Sequence, residues 1–475
     1  MNFSDRKYFP FVVLFIIVFV SRIPFLSAGY GVEEDSWGIV LAAAHTALTG
    51  IYEPSRFPGH PVHEFIYSTF PFHPEWFYNL FSAFFSAIAT LFFALILKEL
   101  KFKHFLLASL ALAFTPVFYI SSTYTIDFVW TIAFILISFY CLLKEQFIVC
   151  GIFLGLAIGC RITSGAMFLP FMIIFWQKNN LQHNIKIAIR VLIPLVIVSF
   201  VSYLPLMIEF GASFFMYYDQ FPYPSLAKVI YKMIPGVFGF LGVSAIGICI
   251  LWMLANRNKL ERGNLFENGL GLPTGQAGKK IILSSIAVII LFVISYFRLP
   301  QKSGYMITVI PFVIILFGYY LNSKMFNFLC SCLILSSFFC SINLTDKLRG
   351  STYSRLAVTF TISGQELFFD PISGPIFSDY SKREQKIKYT DEVIEMAGSI
   401  SSKTVVIAGW WYNQILVGLF PDNSIHNVIF ESYIDEQKMI EYISKGYVIK
   451  YLPEQNVYND QMFKMESTDK LATEF

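Results

Sequence analysis

Three consecutive carboxylates, Glu33, Glu34 and Asp35, stand in GVEEDSWGIVLAAAH (31–45), directly after the first hydrophobic run. Neighbouring carboxylates repel, so such a knot calls for cationic partners or a chemical purpose. A carboxylate within reach of a substrate hydroxyl is a candidate general base. The run that follows, SWGIVLAAAHTALTG, ends in Gly50 and predicts a helix. Glu34 and Asp35 then sit at its N-terminus, where the helix dipole favours negative charge. Capping accounts for Asp35 and leaves two acids over. The helix is largely apolar, which predicts that it lies along a membrane surface or against membrane spans.

The same loop, 27–75, carries Glu53, Glu64 and Glu75, a single Arg56, and His45, His60, His63 and His73. In IYEPSRFPGHPVHEFIY, two proline-flanked turns precede His60 and His63 at i, i+3, a pattern of ordered structure rather than of a solvated tether. Further along, Asp127 in SSTYTIDFVW has no basic residue within sixteen positions. An acid at the end of an apolar run either snorkels to the interface or faces a cavity or partner. Arg161 in GCRITSG interrupts two short apolar segments, and Arg298 and Lys302 in FRLPQKSGYM precede another, with Tyr305 adjacent. Such cations could simply meet lipid head groups. Taken with the acids, they suggest a charged cavity that could hold a phosphate or a divalent cation.

These residues must be positioned by membrane-embedded elements. Hydrophobic residues make up 56% of the 475-residue chain and charged residues 14%, against about 25% charged in soluble proteins. Candidate spans are 8–26, 77–97, 104–120, 126–143, 147–160, 162–176, 191–209, 235–255, 281–297, 304–321 and 325–342, about eleven in all. The 147–160 and 162–176 segments are shorter than the ~20 residues of an upright span and read as tilted or as a broken pair around Arg161. The first run lacks a small-residue cleavage site and reads as a retained span. With the N-terminus inside, 15 Lys and Arg residues fall on the cytoplasmic side and 7 on the outer side before residue 343. That bias follows the positive-inside rule and puts loop 27–75 and the C-terminal region outside. The seven cysteines lie in or beside the spans, so buried packing is expected and no disulfide framework.

Composition changes near residue 342. Residues 1–342 carry 14 acids and 22 bases, whereas 343–475 carry 18 and 13. From residue 390 onward, helical and short β-rich runs alternate: DEVIEMAGSI, TVVIAGW, YNQILVGLF, NVIFES, DEQKMIEYIS and YVIKYL. This predicts a small parallel α/β unit. The stretch 343–389 is less regular and reads as a connector. The fold expected is therefore mainly α: a polytopic helical bundle (1–342) followed by a non-cytoplasmic α/β domain (343–475). The basic stretch 256–280 contains GLPTGQAGKK, which departs from a phosphate-binding loop at Pro273 and Lys280. It reads as a flexible basic loop, and nucleic acid is not an expected partner.

The order of these motifs resembles the GT-C superfamily of membrane glycosyltransferases, which includes the protein O-mannosyltransferases and the lipid A aminoarabinose transferases. Glu34-Asp35-Ser36-Trp37 through Thr49-Gly50-Ile51-Tyr52 resembles the family's acidic first-loop motif and its Ala-containing helix. SRFPGHPVHE resembles the Pro-Gly-x-Pro element that follows. Asp127 after Tyr124 and RLPQKSGYMITVIPFVIIL resemble later elements, so the likeness covers most of 1–342. The resemblance implies transfer of a sugar from a polyprenyl-phosphate donor to an acceptor hydroxyl, with inversion, at the outer face of the cell (inner) membrane. It implies a general base at Glu34 or Asp35. The family commonly has Asp-Glu where this chain has Glu-Asp, so position favours Glu34 and side-chain type favours Asp35. The shorter carboxylate next to the helix start is preferred. Arg298, Lys302, Tyr305 and Arg161 would bind the donor phosphate. Asp127, Arg56, His60, His63 and Glu64 would orient the acceptor or a divalent cation. The rival reading is a transporter or flippase of a lipid-linked saccharide, against which stand the absence of two related halves and the placement of the acids in a long loop.

Overall fold

The computed structural model describes residues 5–211, 223–257, 265–266, 275–344, 356–362, 365–419, 425–463, 465 and 472–475. Apolar helices make up its first two thirds. They are α1 (Asp5–Arg22), then two short helices before the next long one, α2 (Glu34–Thr49) and α3 (Pro61–Ser68), then α4 (Glu75–Glu99). α5 (Phe105–Phe114), α6 (Pro116–Ser121), α7 (Phe128–Leu143), α8 (Phe147–Cys160), α9 (Phe168–Phe175) and α10 (Leu181–Phe210) follow. α11 (Leu226–Met233), α12 (Pro235–Ala255), α13 (Gly275–Arg298), α14 (Ile310–Tyr320) and α15 (Ser323–Leu335) complete the bundle. Among the described residues, six segments are long and apolar enough to cross a bilayer alone, and five shorter apolar ones of 10–17 residues join them, in line with the eleven expected.

Two devices fix the bundle where it matters for the charged residues. Pro116 breaks the third traversal between α5 and α6 because it lacks an N–H for the helical ladder. Nearby carbonyls are taken by side chains instead: the buried Arg22 guanidinium donates to Ala113 O at 2.5 Å, and the Ser337 hydroxyl donates to Phe114 O at 2.6 Å. On α8, Gly151 packs so close to α10 that an added Cβ would stand 2.2 Å from the Val191 carbonyl. Gly151, Gly155 and Gly159 repeat at four-residue spacing, the small-residue stripe that lets membrane helices approach closely. α8 then ends at Arg161, whose extended backbone (φ −151°, ψ 116°) separates it from the 3-10 turn Ile162–Met167 and α9. α7 lies at the centre with nearly every side chain buried, so Asp127 at its start opens onto the middle of one face of the bundle.

That face carries the C-terminal region. β1 (Ser341–Leu344), β2 (Val358–Ile362) and β3 (Gln365–Asp370) form an antiparallel sheet in the order β1-β3-β2. The 24-residue α16 (Pro375–Gly398) follows. The described residues of 343–389 thus form strands and most of a long helix rather than a connector. The strands of this sheet are short, and β2 is exposed at every residue, so it shows no burial alternation. Next come β4 (Thr404–Ile407), α17 (Tyr412–Leu419), β5 (Val428–Glu431), α18 (Glu436–Ser444), β6 (Val448–Tyr451), α19 (Gln455–Phe463) and β7 (Ala472–Glu474). The second sheet runs β5-β4-β6-β7, all parallel, with Thr404 opposite both Val428 and Val448. Its central β4 is buried on both faces. Val406 joins a cluster with Val393 and Ile415 of α16 and α17, while Val405 and Ile407 join Met439 of α18. A parallel strand covered by helices on both sides reads as a continuous apolar run, as TVVI does.

α2 forms over the expected residues and closes on Gly50 in a left-handed conformation (φ 71°). It packs against α3 and beneath α17 of the C-terminal region, rather than flat on lipid. Part of the basic stretch 256–280, residues 258–264 and 267–274, lies outside the described residues; 275–280 are the first turns of α13. All seven cysteines are free, five of them buried.

Candidate active site

Three stretches of loop and one turn meet at the end of α7. The first is 27–35. Trp37 donates its indole N–H to the Gly31 carbonyl at 2.9 Å and stands edge-on to Tyr30, with ring centroids 5.1 Å apart. The second is 122–127, joined to the first by the Thr125 N–H donating to the Tyr30 carbonyl at 2.9 Å. Asn79 of α4 ties both together. Its amide donates to the carbonyls of Leu26 (2.7 Å) and Gly29 (3.0 Å), and its carbonyl accepts from the Thr125 hydroxyl at 2.8 Å. The third is 50–60, which brings Arg56, and the turn 299–302 brings Lys302. These bonds satisfy loop backbone groups that no helix or sheet pairs, and so tie the loops to one another.

The side chains form a chain of alternating charge. Lys302 Nζ pairs with Glu33 at 2.5 Å and with Asp35, and Arg56 pairs with the same Asp35 oxygen. The other arm of Arg56 reaches Asp127 at 3.2 Å, and Arg161 holds the second Asp127 oxygen at 2.8 Å. The Arg161 guanidinium also lies over the rings of Phe128 (4.7 Å) and Tyr305 (4.6 Å). Arg56, Arg161 and Lys302 are each 15–17% exposed, so their charges work in a partly desolvated setting and stay open to a ligand. Asp35 does not cap its helix. Glu33 occupies the N-cap position without a side-chain cap bond, and the Asp35 carboxylate turns to the cations.

The three acids are thereby set apart. Burial pushes Glu33 up, but Lys302 outweighs it and holds Glu33 below its ordinary value. For Glu34 burial wins over Lys386, Lys302 and Arg56, and its carboxyl is held above the usual range. Glu34 lies toward the C-terminal region: Asn413 donates to its backbone carbonyl at 3.5 Å. Burial lowers Lys302, yet Glu33 and its other neighbours raise it overall, so it stays a cation.

The histidines serve a deeper layer. His60 Nδ1 lies 2.5 Å from the Cys160 carbonyl and so must donate to it, with Asp127 3.7 Å away. Burial lowers its pKa against the pull of Asp127. His63 is fully buried, edge-on to Trp130 (5.0 Å) and Tyr67 (4.7 Å). Burial pushes it down to about 3, so it is neutral. Glu64 faces away from the cations and accepts from the Tyr52 and Ser55 hydroxyls and from the backbone N–H of Ser55 (3.1 Å) and His60 (3.2 Å). It braces the 52–60 turn. Arg298, at the end of α13, is exposed and makes no ion pair with the cluster. Of the residues singled out from sequence, Asp35, Arg56, His60, Asp127, Arg161, Lys302 and Tyr305 converge. Glu34, His63 and Glu64 border them, and Arg298 stands apart.

Glu33 joins the cluster although the resemblance implies a role only for Glu34 and Asp35; the acidic triplet is its signal. Lys232 of α11 donates to the Gln301 carbonyl beside Lys302, and its charge acts on Glu33. Among the described residues no group of three His, Cys, Asp or Glu side chains is arranged to hold a metal ion. The donor set around Asp35 and Asp127, rich in guanidinium and ammonium, suits an anion such as a phosphate.

No protein-family model and no curated protein matches the chain. Solved structures do. ArnT from Cupriavidus metallidurans in the apo state superposes with a TM-score of 0.54 at 12% identity, over 94% of this chain and 90% of that one. The same protein bound to undecaprenyl phosphate gives 0.53 at 13% identity, over 94% of both chains. Helical bundle and C-terminal region are covered together, and the chain has the ArnT fold, the architecture that the GT-C resemblance implied.

Proposed function

We propose that the protein is a membrane glycosyltransferase that moves a sugar from a polyprenyl-phosphate donor to an acceptor hydroxyl, with inversion, at the non-cytoplasmic face. The observation that carries this reading is the sharing of Asp35 by Lys302 and Arg56: a candidate base and the cations for a phosphate stand in one cluster. Asp35 takes the proton of the acceptor hydroxyl as the acceptor oxygen attacks the anomeric carbon. The bond from that carbon to the phosphate oxygen breaks, and its electron pair leaves with the polyprenyl phosphate. Charge grows on the leaving oxygen, where Lys302, Arg56 and Arg161 are already oriented, and preorganised cations of this kind stabilise a transition state more than a ground state. The donor phosphate would also draw Lys302 and Arg56 from Asp35, leaving a carboxylate with less counter-charge and greater basicity.

Three further features support it. An apolar cleft of 470 Å³ between α12, α13 and α14, lined by Ile234, Phe238, Ile246, Met253, Ile289 and Phe317, has the chemistry of a polyprenyl tail's surroundings. The ArnT fold occurs with undecaprenyl phosphate bound. The charge bias of the loops supports an N-terminus in the cytoplasm and an acid cluster on the opposite side. The test is to incubate the purified protein, in nanodiscs and reconstituted in vesicles, with a panel of undecaprenyl-phosphoryl sugars and membrane-derived acceptors, and to follow release of undecaprenyl phosphate and movement of the donor across the vesicle membrane. Release with any donor supports transfer. Movement of every donor across vesicle membranes with its sugar bond intact refutes it in favour of a flippase.

A further inference from the structure

Two basic residues of α16 take no part in that chemistry. Arg383 and Lys386 are three positions apart, on one side of the helix, and only 0% and 3% exposed. Lys386 Nζ donates to the Val32 carbonyl at 2.6 Å and lies over the Trp411 ring at 4.9 Å. Val32 is three residues before Asp35. Arg383 donates to the carbonyl of Thr123 at 3.0 Å and to its hydroxyl at 3.2 Å, while its Nε pairs with Asp379 at 3.0 Å. Thr123 is four residues before Asp127. A buried cation is costly unless its donors are satisfied. Here a backbone carbonyl of one of the two loops that carry the acids accepts from each cation, and Asp379 pairs with Arg383.

We propose that α16 is a clamp on the active site, with Arg383 and Lys386 as positioning residues that set Asp35 against Asp127. The clamp's effect on turnover rests on the transferase reading; the clamp itself does not. Each residue holds one loop. Lys386 fixes the backbone from which α2 starts, and so the direction in which Asp35 leaves the helix. Arg383 fixes the 122–127 turn, and so the placement of Asp127 against Arg56 and Arg161. The C-terminal region is on this account part of the active-site framework, beyond any role in acceptor binding. A displacement of about 1 Å in such a framework can cost on the order of 10²-fold in rate.

The experiment uses the full-length protein in nanodiscs and three variants: Lys386→Met, Lys386→Arg and Arg383→Lys. Amide hydrogen exchange is read on peptides covering 29–35, on 122–127, and on α18 as a control. K386M should speed exchange in 29–35, R383K should speed it in 122–127, and α18 should be unchanged in both. K386R, which keeps a donor and the charge, should restore protection. With an active undecaprenyl-phosphoryl sugar, K386M should lower kcat roughly 10- to 100-fold, leave KM for the donor unchanged, and be rescued by K386R. Exchange that rises evenly over the chain, or not at all in the matched loop, overturns the clamp. Loop-selective exchange with unchanged kcat overturns the positioning role. If K386M does not fold, R383K decides the same question on the other loop. Selective exchange in a protein that transfers no sugar would sustain the clamp and refute the transferase.

Discussion

Replacing Asp35 with Asn removes one negative charge and keeps the shape of the side chain. Neither cation is then abandoned, because Lys302 retains Glu33 at 2.5 Å and Arg56 retains Asp127 at 3.2 Å. The stability cost should therefore fall well short of the ~3–5 kcal/mol of an orphaned buried charge. Turnover should fall by about 10²–10⁴, the usual contribution of a general base, which is about 3–5 kcal/mol of transition-state stabilisation. Binding of the product should move the other way. In the wild-type protein the Asp35 carboxylate competes with a phosphate for Lys302 and Arg56. Two like charges about 6 Å apart repel by about 3 kcal/mol at an effective dielectric near 20, and solvent at these partly open side chains cuts that to about 1 kcal/mol. Undecaprenyl phosphate should thus bind roughly fivefold more tightly to D35N. Titration of the lipid phosphate into nanodisc-embedded protein, followed by intrinsic tryptophan fluorescence, reads the affinity, and release of undecaprenyl phosphate reads the rate. Wild-type turnover in D35N refutes the base assignment. Lost turnover together with weaker phosphate binding refutes the shared-cation argument and makes Asp35 a framework residue.

Glu34→Gln separates the two acids. Glu34 is held above the usual carboxylate range by burial, so its ionisation at neutral pH opposes folding. E34Q should melt at an equal or higher temperature at pH 7 and keep its turnover; a loss matching that of D35N would move the base to Glu34. His63, pushed down to about 3 by burial, binds its proton more readily when unfolded. Its stabilisation is whole above pH 6.5 and is lost as pH falls toward 3, by up to about 1.4 kcal/mol per pH unit. His63→Phe should flatten the decline of melting temperature between pH 6.5 and 4, and an unchanged slope would count against a neutral buried imidazole. At Gly304, an added Cβ would lie 2.1 Å from the Phe128 ring on which Arg161 rests. Gly304→Ala should cost about 1–3 kcal/mol by overpacking and lower turnover, whereas wild-type melting and rate would show that the ring can yield.

The bundle was legible in the sequence because a membrane span must satisfy its backbone internally and bury an apolar length set by the bilayer. That constraint writes itself into every twenty residues. The parallel sheet was legible for a similar reason: TVVI and YVIKYL are short apolar runs between helical ones. The antiparallel sheet of 341–370 was not, since its strands are short and β2 is exposed throughout, and the helical pattern is clear only from 391 although α16 begins at Pro375. Its first half holds polar side chains whose partners, Thr123 and Val32, lie more than 250 residues away.

The same division runs through the candidate site. Sequence by itself determined the types and the side: three acids at a helix start, Asp127 at the head of a span, and cations at the ends of others, all brought to one face by the alternation of spans. It also marked Arg161, because a charged residue between two short apolar segments must break them. Which acid meets which cation was decided only by the tertiary structure. Coulomb energy depends on distances between residues that are 21 to 269 positions apart in the chain, and those distances exist only once the bundle has packed. Hence Arg298, as well placed in sequence as Lys302, ends exposed, while Glu33 joins the cluster and Asp35 alone among the three acids is shared by two cations. Lys386 and Arg383 have no local signature at all. Their role follows from where α16 lands on the bundle, which no short stretch of sequence records.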